Sequence, residues 1–134
     1  ELTERTIPAE TGLVERTVSF TKGCYTGQEL VARIDSRGSR VPRHLRGMVV
    51  LGGDAPPVGA ALFAEGGQGE RELGQLTSVA RSPTLGGPVA LAYVRREVEP
   101  PADVVLRWGA GPGGGSDGAA GESPARVEAL PLVA

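Results

Sequence analysis

The stretch LGQLTSVARSPTLGGPVALAYVRRE, running from Leu73 to Glu97, decides the fold class. It holds two runs of alternating and β-branched residues, Leu73 to Arg81 and Pro88 to Glu97, separated by Ser82-Pro83-Thr84-Leu85-Gly86-Gly87. Runs of this length bounded by Gly and Pro read as strands joined by a tight connection. The pattern extends both ways along the chain: Leu45 to Leu51, Ala60 to Ala64, Asp103 to Trp108 and Arg126 to Leu132 are further expected strands. Twenty-one glycines and eleven prolines in 134 residues cut the chain into short pieces, the mark of an all-β barrel or sandwich. Between the last two strands, Gly109 to Ala125 is rich in Gly, Ala, Ser and Pro. It offers too little apolar surface to order itself and is expected to be a flexible loop at the barrel rim.

Upstream lies the one good helix candidate. Thr26 and Glu29 have the spacing of a capping box. Leu30, Val31 and Ile34 give an apolar stripe with Arg33 and Arg37 off it, and Gly38 is a natural stop. The spacing predicts a short helix from Gly27 to Arg37. Residues 1 to 19 hold Ile7-Pro8-Ala9-Glu10 and the alternation Thr17-Val18-Ser19-Phe20, which reads as a connection from an upstream domain followed by a strand. The expected division is 1–44, carrying the helix, and 45–134, the barrel. The length suits one compact domain with tails, and a chain that opens at Glu1 without an initiator Met is expected to be a piece of a longer protein.

A formal charge of −2, with the arginines spread along the chain, argues against bulk nucleic-acid binding. No stretch approaches the roughly 18 apolar residues of a membrane span, and no signal peptide is visible. A single cysteine cannot close an internal disulfide and fits a reducing, cytoplasmic setting. One Cys and one His are too few for zinc or an iron–sulfur cluster, each of which takes about four ligands, so no metal is expected to be held by this chain alone. The glycine-rich run Gly111 to Gly115 lacks the Lys-Ser/Thr and the helix of a phosphate-binding loop.

The candidate site is Phe20-Thr21-Lys22-Gly23-Cys24-Tyr25-Thr26-Gly27-Gln28-Glu29, which brings together the only cysteine and the only lysine; all thirteen other basic residues are arginine. A helix start just beyond Cys24 and the charge of Lys22 both favour a thiolate, hence a nucleophilic or metal-attracting sulfur. Gly23 and Gly27 are read as positions for a left-handed turn and for close approach of a ligand to the backbone. A plainer reading keeps Cys24 as a small buried apolar residue and Lys22 as a solvated turn residue. Tyr25 is read either as a stacking platform or as packing. Arg33, Arg37, Arg40, Arg43 and Arg46 form a basic run that could grip a substrate carboxylate through two-point forks, or simply a solvated face. His44, at the entry to a strand, is expected at the surface.

The segment Lys22 to Glu29 resembles the signature of the YgfZ family of folate-binding proteins, relatives of the glycine-cleavage T protein. Gly74-Gln75-Leu76-Thr77-Ser78, then Ser82-Pro83-Thr84-Leu85 and Ala90-Leu91-Ala92-Tyr93-Val94, resemble the C-terminal barrel of that superfamily. The resemblance implies a mainly β chain, with a short α-helix after the Cys motif and then an antiparallel, Greek-key-like aminomethyltransferase β-barrel. It makes residues 1–44 the end of a folate-binding T-protein-like domain. It implies a cytoplasmic, tetrahydrofolate-linked protein that supports iron–sulfur cluster assembly or repair and, through iron–sulfur partner proteins, tRNA-modifying enzymes, with folate bound mostly by a preceding part. Cys24 and Lys22 are then the chemically active pair, and Gly23, Tyr25, Gly27, Gln28 and Glu29 the motif around them. Two other readings stand beside it. One is a glycine-cleavage-type aminomethyltransferase passing a one-carbon unit to tetrahydrofolate, matched through Gly27-Gln28-Glu29. The other is a non-catalytic barrel module that closes one side of a ligand cleft.

Overall fold

The structure, a computed structural model, describes residues 1–66, 71–109 and 120–133. Among them six strands follow one another: β1 (Arg43–Val50), β2 (Ala61–Ala64), β3 (Gly74–Ser82), β4 (Gly87–Arg95), β5 (Ala102–Trp108) and β6 (Gly121–Glu128). They close into an antiparallel barrel in the order β1-β4-β3-β2-β5-β6. β2, β3 and β4 are successive neighbours and β1 lies beside β4, the arrangement of a Greek key. The mainly β expectation and the barrel are therefore both met. No helix in the described residues is long and apolar enough to cross a membrane.

The core is the inward set of alternating residues. Met48, Leu62, Val94, Leu106 and Val127 are its largest fully buried side chains, with Leu76, Ala90, Ala92, Val104 and Ala125 around them. One bulge keeps this alternation in phase. Leu76 lies opposite Ala92 and Val79 opposite Ala90, so three steps on β3 match two on β4, and Thr77 is the extra residue. Without that insertion Val79 would face outward. The Thr77 hydroxyl donates to the Leu91 carbonyl at 3.1 Å, which occupies a polar group at the irregularity.

The last strand lies earlier than the expected Arg126 to Leu132. β6 runs Gly121–Glu128 and pairs the whole of β5, from Ala102 opposite Val127 to Trp108 opposite Gly121. Residues 121 to 125 are thus strand rather than loop, while 110–119 of the expected flexible segment lie outside the described residues. Pro124 obscured the strand, but its position is permissive. Its carbonyl accepts from the Leu51 amide at 2.9 Å, just beyond the last residue of β1, so its missing N–H faces the place where that pairing ends. The apolar residues after β6 serve as a cover: Leu130 and Leu132 lie over Gly47 of β1.

Two glycines in the barrel are required for different reasons. A Cβ on Gly74 would strike the backbone carbonyl of Tyr93 on the neighbouring strand, whereas one on Gly47 would meet only the side chains of Leu132 and Leu130. Backbone in a closed barrel cannot move aside, but a tail side chain can. Gly74→Ala is expected to cost about 1–3 kcal/mol, at the upper end of overpacking, and Gly47→Ala clearly less. Urea midpoints for the two variants decide it, and equal losses would refute the distinction.

Before the barrel the chain folds into short pieces. The 3-10 turn Pro8–Thr11 leads to α1 (Val14–Thr17) and then α2 (Gln28–Ser36). The strand expected over Thr17 to Phe20 is absent, because the Leu13 carbonyl accepts from both the Thr17 amide and the Thr17 hydroxyl and draws this segment into a helical turn. The predicted helix is present within one residue at each end, but the capping box is not. The N-cap is Gly27 in the left-handed region, φ 84°, and no side chain caps the helix. Gly38, φ 76°, stops it as expected, its amide donating to the Asp35 carbonyl at 2.9 Å.

Candidate functional site

Lys22 to Gly27 form a largely exposed loop entering α2, whose first two residues are Gln28 and Glu29. The Ser19 hydroxyl oxygen accepts from the Lys22 amide at 3.1 Å. The Gln28 side-chain oxygen accepts from the Tyr25 amide at 3.3 Å. These two bonds fold the loop between Ser19 and Gln28, and the left-handed Gly27 supplies the turn into the helix. Gly23 carries no positive φ, so only one of the two glycines meets the conformational expectation. Cys24 is exposed, which removes the reading of a buried apolar thiol. It sits three residues before the N-cap rather than against the first turn, so it is offset from the helix amides.

Ser19, Phe20, Lys22, Tyr25, Gln28, Glu29 and Ala32 line an open cleft of about 390 Å³. The motif thereby brings Lys22, Tyr25, Gln28 and Glu29 to one concavity. Tyr25 is half-buried in its wall, and Phe20, which pattern reading placed in a strand, presents an exposed ring to it. Among the described residues no three His, Cys, Asp or Glu side chains gather as metal ligands.

The basic run divides. Arg33 and Arg37 are exposed on α2 and its C-cap. Arg43 is already engaged: its fork is taken by the carboxylate of Glu10, with Nε to Oε1 at 3.0 Å and Nη2 to Oε2 at 3.3 Å. The carboxylate that Arg43 grips is therefore the chain's own. Neither Glu10 nor its role was legible beforehand, since a lone acid in Ile7-Pro8-Ala9-Glu10 has no pattern that points 33 residues ahead.

His44 is not fully at the surface. It is half-buried, on the same face of β1 as Arg46 and the core residues Met48 and Val50. Burial holds its pKa below the ordinary 6.5, the positive charge of Arg46 acts in the same direction, and Glu10 opposes both. A base whose folded pKa is depressed takes its proton first in the unfolded chain. Stability is thus fully present above about pH 6.5 and falls as the pH drops toward the folded value. Denaturation of His44→Gln from pH 7.5 to 5 is expected to show a flatter loss than wild type, and parallel profiles would exclude His44 as the cause.

The barrel and the loop-bearing arm define a class that comparison with known proteins identifies. Residues 43–108 match the glycine cleavage T-protein C-terminal barrel domain. The chain is 35% identical over 96 residues to the aminomethyltransferase of Corynebacterium jeikeium and 40% identical over 96 residues to that of Streptomyces coelicolor, covering 72% and 70% of this chain and 24% of each relative. It is 38% identical over 90 residues to the tRNA-modifying protein YgfZ of Yersinia enterocolitica, covering 67% of this chain and 26% of that protein. The crystal structure of the glycine cleavage system aminomethyltransferase T from Bartonella henselae superposes with a TM-score of 0.64 at 19% identity, over 96% of this chain and 32% of that one. The chain belongs to the glycine cleavage T-protein superfamily, and its likeness to the YgfZ proteins is consistent with a YgfZ-type member. It spans about a quarter of the length of these curated relatives.

Proposed function

We propose that this chain is the C-terminal part of a tetrahydrofolate-linked, YgfZ-like protein of the cytoplasm that supports assembly or repair of iron–sulfur clusters and, through them, tRNA-modifying enzymes. The observation that carries this reading is the exposed sulfur of Cys24 on the Lys22-to-Glu29 loop, beside a cleft open to a partner. A lone thiol cannot hold a cluster, so cluster iron as cargo would be shared with the partner's ligands. Lys22 places a positive charge at the cleft, Gly27 shapes the turn and Gln28 holds the backbone at Tyr25. Arg33 and Arg37, exposed on α2, are available to a partner's or substrate's carboxylates.

A folate buries most of its surface in its seat. An open cleft lined by seven residues does not enclose one, so the folate seat is assigned to the part of the parent outside this chain.

A glycine-cleavage aminomethyltransferase is the second reading, favoured by the two actinobacterial relatives of that name. The two are separated by the full-length parent: restored activity of an iron–sulfur tRNA-modifying enzyme in cells lacking the native protein supports the first. Turnover that depends on an aminomethyl-lipoyl carrier, with no such restoration, replaces it with the second.

A further inference from the structure

Apart from the linker 37–42, where Val41 is buried and the Pro42 carbonyl accepts from the Arg96 amide at 3.1 Å, the arm that carries Cys24 meets the barrel through one turn. α1 and α2 each pack on Pro8–Thr11, that turn packs on β1, and among the described elements neither helix packs on a strand. At the centre of the joint is Glu10, 2% exposed. Besides the two-point pair with Arg43, its Oε2 accepts from the Ile7 amide at 3.4 Å. The Arg43 guanidinium lies 4.5 Å from the centre of the Tyr93 ring on β4. The Tyr93 hydroxyl in turn donates to the Glu1 carbonyl at 3.2 Å. One buried carboxylate therefore ties the turn to β1 directly, and through Arg43 to β4 and the first residue of the chain.

The other ion pairs among the described residues, Arg71–Glu97, Arg107–Glu122 and Arg126–Asp103, have both partners substantially exposed. Such pairs contribute little, whereas removing one member of a buried pair leaves a charge without its partner. The Glu10–Arg43 pair differs on one side only: the carboxylate side chain is 3% exposed with both oxygens used, while the Arg43 side chain, 43% exposed, remains in contact with solvent.

We propose that Glu10 and Arg43 are positioning residues for the Cys24 loop: their ion pair sets the attitude of α2, and of the loop entering it, on the barrel. The inference rests on the reading of Cys24 as the reactive group only for its functional consequence. The joint itself follows from the geometry. Without the pair, the Pro8–Thr11 turn loosens from β1 and the two helices that pack on it lose their support, while the barrel stays closed, since none of its strand pairings uses these residues.

Hydrogen exchange on this chain tests the joint. Glu10→Gln is expected to speed exchange of the amides in α1 and α2 by about tenfold or more while β5 and β6 are unchanged. Arg43→Lys, which keeps the charge and loses the fork, falls between. Asp103→Asn, which breaks an exposed pair, changes neither region. In the full-length parent, Glu10→Gln lowers the activity of the dependent tRNA-modifying enzyme at normal abundance, and Arg43→Lys, which keeps the charge, retains part of it. Unchanged exchange in α2, or uniform loss of protection across the barrel, overturns the joint. Faster exchange with full activity overturns the positioning role. If activity falls in Glu10→Gln but persists in Cys24→Ala, the positioning of the arm stands and the reading of Cys24 fails.

Discussion

Leu106→Ala is expected to lower the stability of the barrel by about 2–5 kcal/mol, the range for truncating a fully enclosed leucine. Leu106 is 0% exposed, and its strand neighbours are Leu62 on β2 and Ser123 on β6. The walls around it are strand backbone held by ladders on both sides, so they cannot collapse into the vacated volume as a loop could. The loss is then the transfer term plus most of the cavity term. A small domain has only about 5–15 kcal/mol in total, so the variant stands near the edge of folding. The measurement is the urea midpoint with its slope: the midpoint falls and the slope is retained if the native state keeps its compactness. An unmoved midpoint would remove Leu106 from the core and put the β2-β5-β6 register in question.

Cys24→Ala in the full-length parent is expected to abolish support of the iron–sulfur tRNA-modifying enzyme while leaving the protein at its normal level. The structural reason for separating the two effects is that Cys24 is exposed and outside the barrel core, so its loss removes chemistry without removing packing. Surface substitutions away from special features usually change stability by less than about 0.5 kcal/mol. Loss of activity at normal abundance therefore reports on the sulfur alone. Lys22→Met is expected to have a partial effect on the same activity, since Lys22 lines the cleft next to the loop. Full activity of Cys24→Ala would transfer the search to the cleft residues Tyr25, Gln28 and Glu29 and to the part of the parent outside this chain.

What could be read ahead of the structure follows the range over which each signal acts. Strands β1 to β5 were legible within two residues at each end, because alternation and Gly/Pro boundaries are local and each strand carries its own. The span of α2 was legible too, although its start was read from Thr26 when the left-handed Gly27 forms it; a polar residue at the right spacing is common, and only the backbone angle tells which residue caps. β6 was displaced because Pro124 and the small residues before it hide a strand. Its identity is conferred by β5, and a partner strand is not visible in the residues that pair with it. The motif marked the loop, and the structure added that Cys24 is exposed and that Phe20 lines a cleft with Lys22 and Tyr25, a cleft that Cys24 itself does not line.

The sequence by itself determined the class of the molecule, the order of its strands along the chain and the place of its one thiol, since each of these depends on neighbours within a few positions. Tertiary structure alone decided how the strands close, with β1 between β4 and β6. It also decided that His44 is half-buried, and that a buried glutamate at position 10 pairs with an arginine 33 residues away. Burial and charge pairing are properties of the packed chain, and no local pattern encodes which distant side chain will complete them.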